Sequence, residues 1–186
     1  MNRHPDPRVA TQFGLAVFPL PAGGKVCRPG WHSTVLADRG QLRRGGWPAG
    51  ANVGVGCRAS RVVVLDLDRH DSGANAGVDG LAVFHGLCQR WGQPWPDTLQ
   101  VTTPHGGLHL YLRPPVGVVV PSSSGGRSRL GPGIDVRSPG VRLGGYVVGP
   151  DSVVDGGRYR VVRAKPIAPM PGWLAALLRE RPPGRP

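Results

Sequence analysis

Arg61-Val62-Val63-Val64-Leu65-Asp66-Leu67-Asp68 is the stretch on which the reading of this chain turns. Its nearly continuous apolar run is typical of a central strand buried on both faces, and its far end turns acidic. Residues two apart on a strand project from the same face, so Asp66 and Asp68 stand side by side with Cα atoms about 6.7 Å apart. Both carboxylates can reach one divalent metal or bridge two, and hard oxygen donors suit Mg²⁺ or Mn²⁺. Taken alone, the pair also reads as a solvated strand end before a turn.

Downstream, Asp79 is placed to cap a helix with Leu81, Phe84, Leu87, Cys88 and Trp91 on one stripe and Gly92 at its stop. Thr103-Pro104-His105-Gly106-Gly107-Leu108-His109-Leu110-Tyr111-Leu112 follows. The Gly106-Gly107 pair permits a tight turn, and the strand after it sets Leu108, Leu110 and Leu112 on one face and His109, Tyr111 and Arg113 on the other. His109 beside a basic residue at the mouth of such a turn can bind a triphosphate, although a strand histidine is more often structural. In Gly133-Ile134-Asp135-Val136-Arg137 the carboxylate of Asp135 lies inside an apolar strand, which is costly unless a metal or a cation compensates it.

Further strands are expected at 15–20, 52–56, 98–102, 146–148 and 158–162, and a mobile loop at 117–133. Asp6-Pro7 opens a short helix ending near Gly14, Asp38 caps another reaching Arg44, and Pro171 opens a last one bearing Trp173, Leu174, Leu177 and Leu178. The pattern predicts an α+β sheet with helices on one side. Gly54, Gly56 and Ala59 spell a dinucleotide-type G-x-G-x-x-A, but Arg61 begins another strand where a helix is required, so the match is accidental.

With 186 residues, one functional unit over 1–181 is expected: an N-terminal α/β portion to about 60, a sheet core over 61–165, a C-terminal helix over 166–181, and a disordered tail at 182–186. Cys27, Cys57 and Cys88 have no metal-ligand spacing and suit a reducing cytoplasm, and no apolar run is long enough to cross a bilayer. The formal charge of +12 favours a polyanionic partner, nucleic acid above all. Part of that charge reflects an arginine-rich coding bias, since only Lys25 and Lys165 are lysines; bias does not explain why the acids are so few, ten Asp and the single Glu180.

In order, an apolar strand ending in D-x-D, T-P-x-G-G-x-H-x-Y, G-x-D-V-R, G-G-Y-V-V-x-P-x-S (from Gly144) and G-x-x-Y (to Tyr159) resemble the bifunctional DNA primase/polymerase (prim-pol) domain of the archaeo-eukaryotic primase superfamily. Phe18-Pro19-Leu20, Lys25, Trp31 and Asn52-Val53-Gly54-Val55-Gly56 are similar to that family's opening segment. The resemblance implies an RRM-related sheet core packed beside the N-terminal α/β portion, with the active site between them. It implies Asp66, Asp68 and Asp135 as ligands of a two-metal Mg²⁺ or Mn²⁺ site, and His109 on the phosphates of the incoming nucleotide. Gly106, Gly107, Arg113, Lys25 and Arg137 are expected to help bind the (d)NTP, and Arg127 and Arg129 the single-stranded DNA template. His105 stands where the family commonly has a small hydroxyl residue, and the interval from Asp135 to Gly144 is long. No helicase or zinc-binding stem follows in this sequence, so any helicase partner is expected to be separate.

The rival reading is a non-catalytic nucleic-acid or nucleotide-binding protein of the same fold. A replication nuclease with a His-x-His metal site is excluded, because Tyr111 stands where the second histidine is needed.

Overall fold

The computed structural model describes residues 4–36, 42, 46–70, 76–126 and 128–179. The central strand of the larger sheet is β3 (Val63–Leu67), flanked on one side by β7 (Leu108–Arg113) and on the other by β8 (Ile134–Arg137), both antiparallel to it. Beyond β7 come β6 (Gln100–Thr102) and β12 (Arg160–Arg163), while the short β13 (Ala168–Pro169) pairs in parallel with the end of β7. A smaller antiparallel sheet runs β1 (Val17–Leu20), β2 (Asn52–Gly56), β9 (Tyr146–Val148). The hairpins β4 (Arg69–His70) with β5 (Val78–Asp79) and β10 (Val153–Val154) with β11 (Gly157–Arg158) complete the strands. The architecture is mixed α+β, with antiparallel sheets and few helices.

Side-chain alternation divides the interior in two. Val63, Leu65 and Leu67 of β3, with Leu108, Leu110 and Leu112 of β7 and Ile134 and Val136 of β8, face a core closed by helices Gly80–Arg90 and Gly172–Leu178 through Phe84, Cys88, Leu174 and Leu178. Val62, Val64 and Tyr111 face the opposite way, into a second core shared with Val17, Phe18, Val53, Val55 and Val147 of the small sheet. The residues of β3 and β7 that continue this second face are Asp66 and His109, and there the apolar lining ends.

The helix starts follow local chemistry. Asp79 Oδ1 accepts the amide of Ala82, 3.0 Å away, capping Gly80–Arg90 as its position before the apolar stripe implies. Trp91 is 45% exposed rather than buried on that stripe, because it already lies at the C-cap, where the chain leaves the helix. Asp6 Oδ1 likewise accepts the Arg8 amide at 2.9 Å ahead of the short helix Arg8–Thr11. The helix expected from Asp38 to Arg44 and the tail at 182–186 lie outside the described residues.

Two expectations need correction. The 117–133 segment is tied down in its described part: Ser123 bridges to Val136, and the amides of Gly125 and Gly126 donate to Asp135. A division at residue 60 does not separate the sheets either, since β9 crosses back to pair with β2. After β2 a single helical turn, Cys57–Ser60, precedes β3, and the glycines of the G-x-G pattern serve packing. A Cβ on Gly54 would stand 2.4 Å from the Phe18 ring.

Candidate active site

Strand register brings the chemistry together. Asp66 pairs directly with His109 on one side and with Asp135 on the other, so the three side chains form a row across the sheet on the face away from the helices. Asp68 follows two residues after Asp66, just past the end of β3. Its amide donates to Gly133 O and its carbonyl accepts from Gly80 N, each at 2.8 Å, which holds the backbone extended where the strand pairing stops. The row forms the floor of a cleft of about 920 Å³ between the two sheets. Lys25 and Trp31 stand on the wall made by the small sheet and its loops, and Thr103 and His105 on the wall made by the β6–β7 turn.

The carboxylates differ in their surroundings. His109 Nε2 forms an ion pair with Asp66 Oδ1 at 3.2 Å, and that buried oxygen has no hydrogen bond of good geometry. Burial pushes the Asp66 carboxyl up, yet His109, Arg137 and Lys25 outweigh it and hold the group below its ordinary range. Asp68 is pushed up to about 6, first by burial and then by the charges of Asp66 and Asp135. Asp135, itself buried, accepts Gly125 N at 3.1 Å, Gly126 N at 2.6 Å and Arg137 Nη2 at 3.1 Å. The cation that compensates it sits two residues along its own strand.

The Asp66 carboxylate, with Oδ1 buried against the His109 ring, stands beside Asp68, and the two charges repel; a divalent cation would satisfy this donor arrangement. Asp135 is differently placed, because both its oxygens are already committed. Among the described residues no three His, Cys, Asp or Glu side chains are grouped as a ready metal site. The pair that fits a cation as it stands is Asp66 with Asp68.

Of the other expected residues, Lys25 and Arg137 line the cleft. Gly106, at φ +79°, shapes the turn at its edge, and the buried Gly107 donates its amide to Thr103 Oγ1 at 3.0 Å. A Cβ at Gly107 would come 2.7 Å from the Leu67 carbonyl oxygen, so its place is set by close backbone approach. Arg113 is not part of the site: four residues along β7 from His109, it reaches the Ser60 carbonyl at 3.0 Å, at the other end of the strand. Arg129 is also elsewhere, donating to Arg179 O at 3.1 Å beyond the last helix. Arg127 lies outside the described residues. The cleft adds residues to which no role was assigned from the sequence, notably His70, Tyr146 and Tyr159. Tyr146 and Tyr159 are present in the quoted motifs, but only the fold brings Tyr159 near Asp66 and Asp68 and ties the Tyr146 hydroxyl to the Lys25 loop.

The protein thus belongs to a class of mixed α+β domains whose two sheets enclose an open cleft with an acidic floor and cationic side chains in its walls. A model of the bifunctional DNA primase/polymerase N-terminal family, Prim-Pol, matches residues 6–173, and the chain belongs to that family. No curated protein matches it closely. Membership places it among nucleotidyltransferase-type enzymes of the DNA primase/polymerase kind, which act on DNA and nucleotides. No helix among the described residues is long and apolar enough to cross a membrane.

Proposed function

We propose that this chain adds nucleotides to a 3′-hydroxyl along a single-stranded DNA template, with Mg²⁺ or Mn²⁺ held by Asp66 and Asp68 and with Asp135 completing the acidic row. The observation that carries the reading is the register itself, which sets Asp66, His109 and Asp135 side by side in a cleft also lined by Lys25 and Arg137. Bound divalent metal supplies charge neutralisation for the hydroxyl and the leaving pyrophosphate. Lys25 and Arg137 attract the triphosphate, and His109 contacts its phosphates from the floor. The path of the larger sheet, with two helices on one face, supports reading it as the RRM-related core of primases. The cysteines, all unpaired, suit a cytoplasmic setting.

The test is incorporation of labelled ribo- and deoxynucleoside triphosphates on single-stranded template, with and without primer, in Mg²⁺ and in Mn²⁺. Template-dependent incorporation is expected; binding of template and nucleotide without incorporation in either metal would leave the non-catalytic reading. That second reading has one observation in its favour, the committed oxygens of Asp135. Template affinity is expected to fall with salt, with a log–log slope of about −0.7 per phosphate neutralised. A flat dependence would assign the positive charge to coding bias.

Lys25 sits in a loop without regular structure and owes its position to Tyr146. The phenol accepts the Cys27 amide and donates to the Lys25 carbonyl, both at 3.1 Å, while its ring packs edge-on to Phe18 and Trp31. Tyr146→Phe keeps the ring and removes both bonds, at a stability cost of about 1–2 kcal/mol. It is expected to raise the nucleotide KM several-fold, and Lys25→Ala in the same background should add little further. Nucleotide titration of the two single variants and the double variant checks this; fully additive effects would separate Tyr146 from Lys25.

A further inference from the structure

Three rings form a continuous stack leading from the small sheet toward the cleft. Phe18, buried in β1, lies against Trp31 with centroids 4.2 Å apart and planes 27° apart. Trp31 lies in turn against His32 at 3.8 Å and 29°. Trp31 is itself buried, and the half-buried His32 is the most exposed of the three rings. His32 lines both the main cleft and an adjoining slot of about 280 Å³.

The slot's composition suits a flat, uncharged ring. Val35, Ala59 and Leu143 make its walls apolar, its lining includes no carboxylate, and its one certain cation is Arg58. The Arg58 guanidinium donates to the carbonyl oxygens of Gly140 and Val141, at 3.4 and 3.1 Å, and so pins the loop that carries Leu143. Gly56 keeps the slot open: a Cβ there would press to 3.2 Å from the Trp31 ring. Leu143, which lines both the slot and the main cleft, is 60% exposed, and Val26, also in the cleft lining, is 69% exposed. Single exposed aliphatic residues are ordinary, but these two line the cleft together with His32, the last ring of an aromatic stack, in a strongly cationic protein.

We propose that this slot takes one unpaired base of single-stranded nucleic acid, stacked on His32 as the next ring of the Phe18–Trp31–His32 series. Base stacking on aromatic side chains beside cationic groups is the means by which single strands are held without sequence preference. Lys25 in the cleft, Arg58 in the slot and the exposed Arg142 next to Leu143 supply charge for the flanking phosphates. The slot includes none of Asp66, Asp68, Asp135 or His109, so its occupant is a strand nucleotide away from the reacting end rather than the incoming monomer. This subsite rests on the nucleic-acid reading of the cleft and adds to it the place where the strand is gripped.

The test is equilibrium binding of a labelled oligothymidylate and of an abasic oligomer of the same length to the full chain and to its His32→Leu and His32→Phe variants, with thermal midpoints measured alongside. His32→Leu is expected to weaken binding of the base-bearing strand about 5- to 100-fold. It should leave the abasic strand and the salt slope unchanged, whereas His32→Phe should retain binding. If His32→Leu unfolds, Leu143→Ser on the opposite wall carries the same expectations. Unchanged binding in a folded His32→Leu variant overturns the subsite, as does an equal loss on the abasic strand. A loss confined to nucleoside triphosphates places the monomer's base in the slot and also overturns it. Wild-type protein that binds neither strand nor nucleotide overturns the functional reading itself, and the subsite with it.

Discussion

Replacing Asp66 and Asp68 together by Asn is expected to lower nucleotide incorporation by at least ~100-fold while the chain stays folded, because these side chains serve the cleft rather than a core. The single variants should then shift the metal-free thermal midpoint in opposite directions. The Asp68 carboxyl is pushed up to about 6, so its contribution to stability worsens as pH rises from its unfolded value through that range. At neutral pH Asp68→Asn removes a repelling charge and should raise the midpoint. Asp66 is held below its ordinary range, so its charge contributes stability that is present at neutral pH and lost on acidification. Asp66→Asn should therefore lower the midpoint. Mn²⁺ or Mg²⁺ should stabilise the wild type and have no effect on the double variant. Thermal unfolding with and without metal checks these shifts independently of catalysis. Full incorporation by the double variant would leave the chain only a binding role.

Gly80→Ala is expected to cost about 3 kcal/mol, which in a domain of this size is a fall in midpoint of roughly 6–12 °C. A Cβ on Gly80 would stand 2.1 Å from the Gly133 carbonyl oxygen and 3.0 Å from the Asp68 amide nitrogen. The Asp68 amide donates a hydrogen bond to that Gly133 carbonyl, so the methyl group would wedge apart the backbone contacts that position Asp68. Activity should fall more steeply than stability as a result. Gly86 is the control, on the same helix with open space around its Cβ position, and Gly86→Ala should leave the midpoint level or raise it. Thermal unfolding of the two variants side by side decides the matter, and equal midpoints would refute the clash.

How far the site could be read from the sequence depended on whether its geometry is local. The alternation that puts Asp66 and Asp68 on one face, and His109 opposite Leu108 and Leu110, is a property of any extended chain and was legible at once. Asp79 as a helix cap was equally local. The placement of Arg113 failed for the complementary reason: sharing a face with His109 says nothing about distance along a six-residue strand, and the arginine ended at Ser60. The tethering of the 117–133 segment also escaped, since its glycine amides became ordered only by meeting a carboxylate on another strand.

By itself, then, the sequence determined the longer strands, their buried and open faces, the two dominant helices and the family to which the chain belongs, because periodicity, capping and motif order are encoded in near neighbours; the short pairings of β4 with β5, β10 with β11 and β13 with β7 were not legible in it. Tertiary structure alone decided which strands lie side by side. It set Asp135 next to Asp66 from far along the chain and carried β9 back to the small sheet, so that Tyr146 could hold the Lys25 loop. It also committed the oxygens of Asp135 to two amides and an arginine, while setting Asp66 Oδ1 against the His109 ring. Register and backbone hydrogen bonds across long separations depend on how two sheets close over one another, and no local pattern specifies that closure.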